Sequence, residues 1–172
     1  MKKFFYITAI ALSITLMGCS SQKNENTSKS EPVTEKSSEK EEYSVEDLFD
    51  KIAEKAGAVT TDTYNEKDYP AYDYRTILRN PDSFVFKKMN VFNTKIIQLV
   101  EQGKYTQILA LQGTENMYMF FIETDRMESN FLEGDTLTVD GRFALIYKYD
   151  SVGNGKKKVP LVYIDAYFLT KK

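Results

Sequence analysis

The sequence contains no histidine and only one cysteine, Cys19, in 172 residues. Without an imidazole, the chain excludes serine–histidine and cysteine–histidine nucleophile systems as well as histidine metal sites. A lone cysteine excludes an internal disulfide, a CxxC motif and a thiolate zinc site. Carboxylate, tyrosine and lysine chemistry remains possible, as does binding without chemistry, and binding is the interpretation that we favour. We therefore expect no enzymatic activity, no metal site and no bound cofactor.

The sequence also lacks an excess of positive charge. Its formal net charge is −2 and its isoelectric point is near 5.4, whereas a nucleic-acid-binding surface needs a clear basic excess. We therefore do not expect nucleic acid as a partner. The length, with 42% hydrophobic and 28% charged residues, predicts one globular domain together with some unstructured chain.

The first residues of the chain combine a short positive segment with an apolar run. Lys2 and Lys3 precede residues 4–17, FFYITAIALSITLM, which are too few to span a bilayer comfortably and match the core of a signal peptide. The run ends in LMGC, which resembles a bacterial lipobox. This resemblance implies cleavage after residue 18 and a covalent diacylglycerol on the Cys19 thiol. The alternative is an ordinary secretory signal that happens to contain a cysteine.

A lipid on Cys19 predicts a protein anchored to the extracytoplasmic face of the cell membrane. Two acyl chains bury enough methylene groups to hold it there stably. Residues 1–18 are then the signal peptide, and residues 19–42 are a lipid-anchored linker. From position 20 this linker contains one branched aliphatic residue, Val33, and no aromatic residue. We expect it to be disordered, because it cannot bury enough apolar surface to offset its ordering entropy.

Residues 43–83 form a predicted helical lead-in to the main domain. Ser44 followed by the acidic Asp47 is a helix-capping sequence. Apolar residues then recur at helical spacing as far as Gly57, which predicts a helix over residues 44–56.

The apolar face of this helix either packs on the domain or docks a partner protein, and packing is the interpretation that we favour. The residues that would dock the partner are Leu48, Phe49 and Ile52. A second, shorter helix is predicted over residues 71–79, since Pro81 disfavours a helical conformation at the residue before it.

From residue 84 to residue 172 the pattern changes to that of β-strands. A bulge or bend is expected at Asp140 and Gly141, because glycine inside a strand often marks one. A short turn or helical piece separates the third strand from the fourth, a layout that matches a five-stranded OB-like β-barrel. The predicted strands cover residues 88–101, 105–111, 117–123, 135–149 and 159–169.

Several stretches of this region are similar to a known family. They are YRTILRNPDSF, KIIQLVE, LEGDTLTVDGRF, YKYDSVGNGKKKVP and IDAYFL. Together they resemble the OB-fold domain, similar to tRNA-anticodon-binding domains, of secreted Gram-positive lipoproteins, over roughly residues 72–172. That family is largely uncharacterised, so the resemblance implies a fold and a location. Its members usually have a glycine inside strand one, whereas residues 84–102 contain none. We expect Asn93 to take the bend instead, because asparagine tolerates a positive φ.

The ligand surface of an OB-fold lies on strands two and three and is framed by two loops. In the functional interpretation, aromatic rings beside lysines on this surface stack against a ligand. In the alternative, the aromatic residues fill or coat the barrel and the lysine loop is a solvated turn. The candidate ligand-binding residues are Tyr105, Gln107, Tyr118, Phe120, Tyr147, Tyr149, Lys156, Lys157 and Lys158.

These patterns lead us to expect a non-catalytic binding module at the cell surface, which recognises an envelope protein or polysaccharide. The other possibility is a structural or accessory subunit of an envelope complex, docked through the helix over residues 44–56. Exposed Tyr118 and Phe120 rings would favour the binding module. An exposed face at Leu48, Phe49 and Ile52 would favour the accessory subunit.

Overall fold

The computed structural model describes residues 44–151 and 155–171. The predicted signal peptide (residues 1–18), Cys19 and the predicted linker (residues 19–42) lie outside the described residues. Within the described ranges, no helix has both the length and the apolar character needed to cross a membrane.

The described chain is mainly a closed barrel of five strands with the order β1-β2-β3-β5-β4. Neighbouring strands are antiparallel, except that β3 and β5 run parallel. This arrangement confirms the predicted OB-like fold with a few helices before the barrel. The strands are β1 (Lys88–Gln102), β2 (Tyr105–Gln112), β3 (Asn116–Glu123), β4 (Thr136–Ser151) and β5 (Gly155–Thr170).

Two helices precede the barrel, α1 (Val45–Ala56) and α2 (Tyr74–Arg79). The predicted capping sequence of α1 is confirmed, because the Ser44 hydroxyl accepts from the Asp47 backbone N–H and the Asp47 carboxylate accepts in return. Helix α2 begins later than residue 71, since the Asp73 carboxylate caps it by accepting from the backbone N–H of Thr76. Short 3₁₀ turns cover Glu66–Asp68, Pro81–Phe84 and Thr124–Arg126.

Strand β1 bends at Asn93, as the sequence predicts. Asn93 has a φ of 50°, and the pairing of β1 with β4 shifts register between Val91 and Thr94. The bend lets β1 pair with β4 through its first half and with β2 through its second half. The strand thereby closes the barrel without a glycine.

The barrel interior is filled by the alternate residues of each strand. Ile108 lies opposite Phe120, and Ala110 lies opposite Tyr118, so the side chains of these pairs share a face of the sheet. All four are buried in one apolar core. This corrects the expected placement of Tyr118 and Phe120 on an exposed ligand surface: their rings occupy volume that a closed barrel must fill.

Helix α1 packs on the outside of the barrel, over β2, β3 and β5. The Phe49 ring stacks on Phe121 at a centroid distance of 4.2 Å and meets Tyr105 edge-on at 5.6 Å. Phe49 and Ile52 are buried, and Leu48 is half-buried beside them. The apolar face of α1 therefore packs on the domain, as favoured from the sequence, and Leu48, Phe49 and Ile52 are not exposed to dock a partner.

Both ends of α1 are held by polar contacts. At its start, the Glu46 carboxylate accepts from the Lys104 backbone N–H at 3.2 Å. In its middle, the Asp50 carboxylate pairs with the Lys104 ammonium at 2.8 Å and accepts from the Tyr105 hydroxyl at 2.8 Å. At its end, the Arg142 guanidinium donates to the carbonyls of Ala56 and Gly57. These bonds satisfy carbonyls that a helix end otherwise leaves without a partner.

A buried ion pair supports the second of these contacts. Arg142 donates to the Asp165 carboxylate, which also accepts from the Tyr69 hydroxyl at 2.9 Å. Burial raises the pKa of Asp165, and the bonds from Arg142 and Tyr69 act in the opposite direction. The lead-in chain is thus joined to β4 and β5 by hydrogen bonds as well as by apolar contacts.

Candidate functional site

An open groove remains on the outer surface of the barrel, on the part of strands two and three that α1 leaves free. One wall comes from β1, where Gln98, Val100 and Gln102 follow one another on the same face. Gln98 pairs with Leu109, and Val100 pairs with Gln107. Because residues two apart in a strand point to the same side, the register of β1 with β2 fixes this wall.

The opposite wall comes from β4, through Tyr147, Lys148 and Tyr149. Met119 of β3 completes the floor, beside Leu109 of β2. The cavity has a volume of about 250 Å³. Enclosed pockets for small molecules usually have a volume of roughly 300–1,000 Å³. The groove is thus somewhat smaller than a typical pocket that encloses a small molecule.

The groove has a positive and hydrogen-bonding character. Its lining contains three glutamine amides, two tyrosine hydroxyls and one lysine, and no carboxylate. Burial raises the pKa of Tyr149, so its hydroxyl stays protonated and can donate at neutral pH. The arm formed by β4 and β5 beside the groove also carries exposed Lys156, Lys157 and Lys158.

Comparisons with known proteins find similar solved structures at low sequence identity. No protein-family model matches the chain, and no curated protein matches it. A mitochondrial single-stranded DNA-binding protein from S. cerevisiae is 15% identical with a TM-score of 0.37, over 51% of this chain and 96% of that one. Aspartyl-tRNA synthetase from Entamoeba histolytica is 4% identical with a TM-score of 0.44, over 66% of this chain and 24% of that one.

The chain has an OB-like fold. The closed barrel of five strands, in the order β1-β2-β3-β5-β4, supports that statement.

The structure divides the nine candidate ligand-binding residues among four places. Gln107, Tyr147 and Tyr149 line the groove together. The other six do not line it. Lys156, Lys157 and Lys158 are exposed on the neighbouring arm, Tyr105 is buried beneath α1, and Tyr118 and Phe120 are inside the barrel.

Six residues that line the groove are not among the candidates that the sequence indicates. The one hint for three of them is their alternation, since Gln98, Val100 and Gln102 occupy every second position of β1, although neither face of this stretch is uniformly polar or apolar. The pairing of β1 with β2 could not be read from that alternation, because a shift of one residue exchanges the two faces of a strand. The missed residues are Gln98, Val100, Gln102, Leu109, Met119 and Lys148.

A second cavity, of about 410 Å³, lies beside Arg126 and Asp165. Arg126 already donates to Glu123, to the Tyr163 hydroxyl and to the Asp165 carbonyl. These polar groups already form hydrogen bonds with partners within the chain. The groove between β1 and β4, where Gln98 and Lys148 are exposed, is the better candidate for a ligand site.

Proposed function

We propose that this protein is a non-catalytic binding module, held at the extracytoplasmic face of the cell membrane by a lipid on Cys19, which recognises an envelope protein or polymer. The observation that carries the proposal is the open groove between β1 and β4, whose floor is formed by β2 and β3. Its glutamines, tyrosines and lysine can bind a polar chain by hydrogen bonds and ring contacts. Its lining contains no carboxylate pair that could act as general acid and base.

The location rests on the sequence of the first nineteen residues and on the resemblance to secreted Gram-positive lipoproteins. Replacing Cys19 with alanine removes the only thiol in the chain. We expect Cys19→Ala to leave unprocessed precursor and to abolish labelling with radioactive palmitate. Normal processing of this variant to the mature size would refute the lipid anchor, whereas a Ser20→Ala variant should be processed and labelled like the wild type.

The binding function is tested by filling the groove. Val100 is 36% exposed on the groove wall, so Val100→Trp adds bulk there without disturbing the core. Glu101 is exposed on the opposite side of the same strand, and Glu101→Trp is the matched control.

The full chain in detergent is presented with purified cell-wall polymers and with displayed random peptides. We expect Val100→Trp to abolish the binding of whichever class binds the wild type, and Glu101→Trp to retain it. Equal binding by both variants would refute the groove as the ligand site. A single-stranded oligonucleotide is included as a third probe, and we expect it not to bind, because the chain has no overall basic excess.

A further inference from the structure

The arm beyond the barrel leaves one edge of β4 unpaired. Strand β4 pairs with β1 up to Arg142, and Phe143 exchanges backbone hydrogen bonds with Phe86 and Lys87. From residue 144 to residue 151 the strand pairs with β5 alone in the described part of the chain. The other edge of this segment is therefore open to a further strand.

The unpaired edge of β4 borders the groove. Tyr147, Lys148 and Tyr149 all line it, although successive side chains of a strand point to opposite faces. Three consecutive residues can border one groove only if the main chain does so too. Since β5 occupies the other edge of β4 and supplies no lining residue, the edge at the groove is the unpaired one.

Pro160 shows which backbone groups point out of this edge. It lies opposite Ile146, and because proline has no N–H, this pair is of the type without mutual hydrogen bonds. In an antiparallel ladder the two types of pair alternate. Lys148, which lies opposite Lys158, is therefore in a pair of the same type. Its N–H and C=O point away from β5, towards the groove.

The two edges of the arm differ in their protection against added strands. The outer edge of β5 carries Pro160, and three consecutive lysines, Lys156 to Lys158, precede this proline in the strand. Proline and lysine at a strand edge both oppose the addition of another strand. Along β4, residues 144–149 contain no proline and include Ile146, Tyr147 and Tyr149, which favour a strand. The protected edge lies away from the groove, and the unprotected edge lies at it.

Charge indicates what kind of strand would bind there. The described part of the arm, residues 144–151 and 155–160, contains four lysines and one aspartate. A second copy of this chain would bring two such basic arms together, which like-charge repulsion opposes. A peptide that contains carboxylates would instead place negative charge beside the lysines.

We infer that the groove binds an extended acidic peptide segment of a partner protein, which adds as a strand to the β4 edge at residues 144–150. This inference rests on the proposed binding function and specifies its ligand. The peptide main chain pairs with the outward groups of Ile146 and Lys148. Alternate side chains of the peptide enter the groove between the tyrosines and the glutamines.

Two proline variants on opposite edges of the arm test strand addition. Lys148→Pro removes one lysine and the outward N–H at the groove, whereas Lys158→Pro removes one lysine and the N–H at the other edge. Neither N–H is used between β4 and β5, so both variants should fold, which thermal unfolding checks. Lys148→Ala is the control for the loss of charge alone.

The probe is a set of peptides selected from a library of displayed random dodecapeptides against the full chain in detergent. We expect acidic sequences, with a dissociation constant that Lys148→Pro raises by about tenfold or more, the effect of one lost hydrogen bond. Lys158→Pro and Lys148→Ala should each stay within about threefold of the wild type. In the wild type, peptide binding should also slow hydrogen exchange of the Lys148 amide, a measurement that stands even if Lys148→Pro does not fold.

Other outcomes would overturn the inference in distinguishable ways. Peptide binding that Val100→Trp abolishes but Lys148→Pro leaves unchanged would refute strand addition and retain the groove. Binding of a polysaccharide and of no peptide would also refute strand addition and retain the groove as the ligand site. A dimer of the chain that Lys148→Pro dissociates would replace the acidic peptide with a second copy. Absence of binding by every probe would remove the proposed function and the inference together.

Discussion

At the scale of the residue, Gly141 shows how closely β4 and β5 approach one another at the bulge. A methyl group built at this position would lie 2.4 Å from the carbonyl oxygen of Tyr163 and 2.7 Å from Val162 Cγ1. The pairing of the two strands also shifts register here, between Asp140 and Gly141. We expect Gly141→Ala to lower the free energy of unfolding by about 1–3 kcal/mol, the usual cost of overpacking, as measured by urea titration.

Gly113 provides the control for that experiment. It has a φ of +64°, and a methyl group there would meet nothing within 4 Å. Gly113→Ala should therefore cost only the strain of a left-handed conformation, about 1 kcal/mol. If the two substitutions lower the free energy of unfolding equally, the close contact with β5 does not explain the need for glycine at position 141.

A second residue, Asp50, makes the attachment of α1 dependent on pH. Its hydrogen bonds from Lys104 and Tyr105 lower its pKa below the ordinary value of 3.8. Because the folded-state pKa is below the unfolded one, the ionised carboxylate stabilises the protein above pH 3.8. This stabilisation is lost as the pH falls from that value through the lower, folded-state pKa.

The comparison of wild type with Asp50→Asn measures this contribution. We expect the variant to melt at a lower temperature at neutral pH, and the difference to disappear in acid below pH 3.8. In a Lys104→Ala background the same substitution should have a smaller effect, since the main partner is already absent. A difference in melting temperature that persists unchanged in acid would contradict the role of the ionised carboxylate.

At the scale of the element, the sequence predicts α1 and the strands well because their signals are local. A serine with an aspartate three positions later, followed by helically spaced apolar residues, identifies the helix from Ser44 onwards. The bend at Asn93 and the bulge at Gly141 also depend on single residues, since asparagine tolerates a positive φ and glycine has no side chain to collide with β5.

The sequence does not show which face of each helix or strand points into the barrel interior. The stretch MYMFFIE is apolar at almost every position, so its alternation does not say whether Phe120 or Phe121 faces the interior. The structure places Phe120 inside and Phe121 beneath α1. The site was predicted in part for the same reason: Gln107, Tyr147 and Tyr149 lie in the groove, whereas the β1 wall depends on a pairing between distant parts of the chain.

The Phe49 side chain is the main apolar contact of α1 with the barrel. It is fully buried and stacks on Phe121. We expect Phe49→Ala to lower the free energy of unfolding by about 3–5 kcal/mol, which urea denaturation would measure. Glu54 is exposed on the same helix, and Glu54→Ala should change stability by no more than about 0.5 kcal/mol. A small effect of Phe49→Ala would mean that α1 contributes little to the stability of the barrel.

At the scale of the whole molecule, the lead-in and the barrel share one set of contacts. Ten buried residues form the outer apolar cluster, and Phe49 and Ile52 of α1 are two of them. Tyr69, from the loop after α1, donates to Asp165 of β5. The boundary that the sequence predicts between the lead-in and the barrel, after residue 83, therefore divides two segments whose side chains pack together.

Two truncations test whether the lead-in and the barrel fold as one unit. A chain that begins at Ser44 retains all of α1, and we expect it to melt within a few degrees of the full chain, because it keeps every described contact of the helix. A chain that begins at Ala58 loses α1, exposes Phe121 and Tyr105 to water, and leaves the Arg142 guanidinium without the carbonyls of residues 56 and 57. Exposing that apolar face should abolish cooperative thermal unfolding and allow the protein to bind a hydrophobic dye. A cooperative transition at an unchanged temperature in the shorter chain would show instead that the barrel is stable alone, and that α1 is a removable cover over strands two and three.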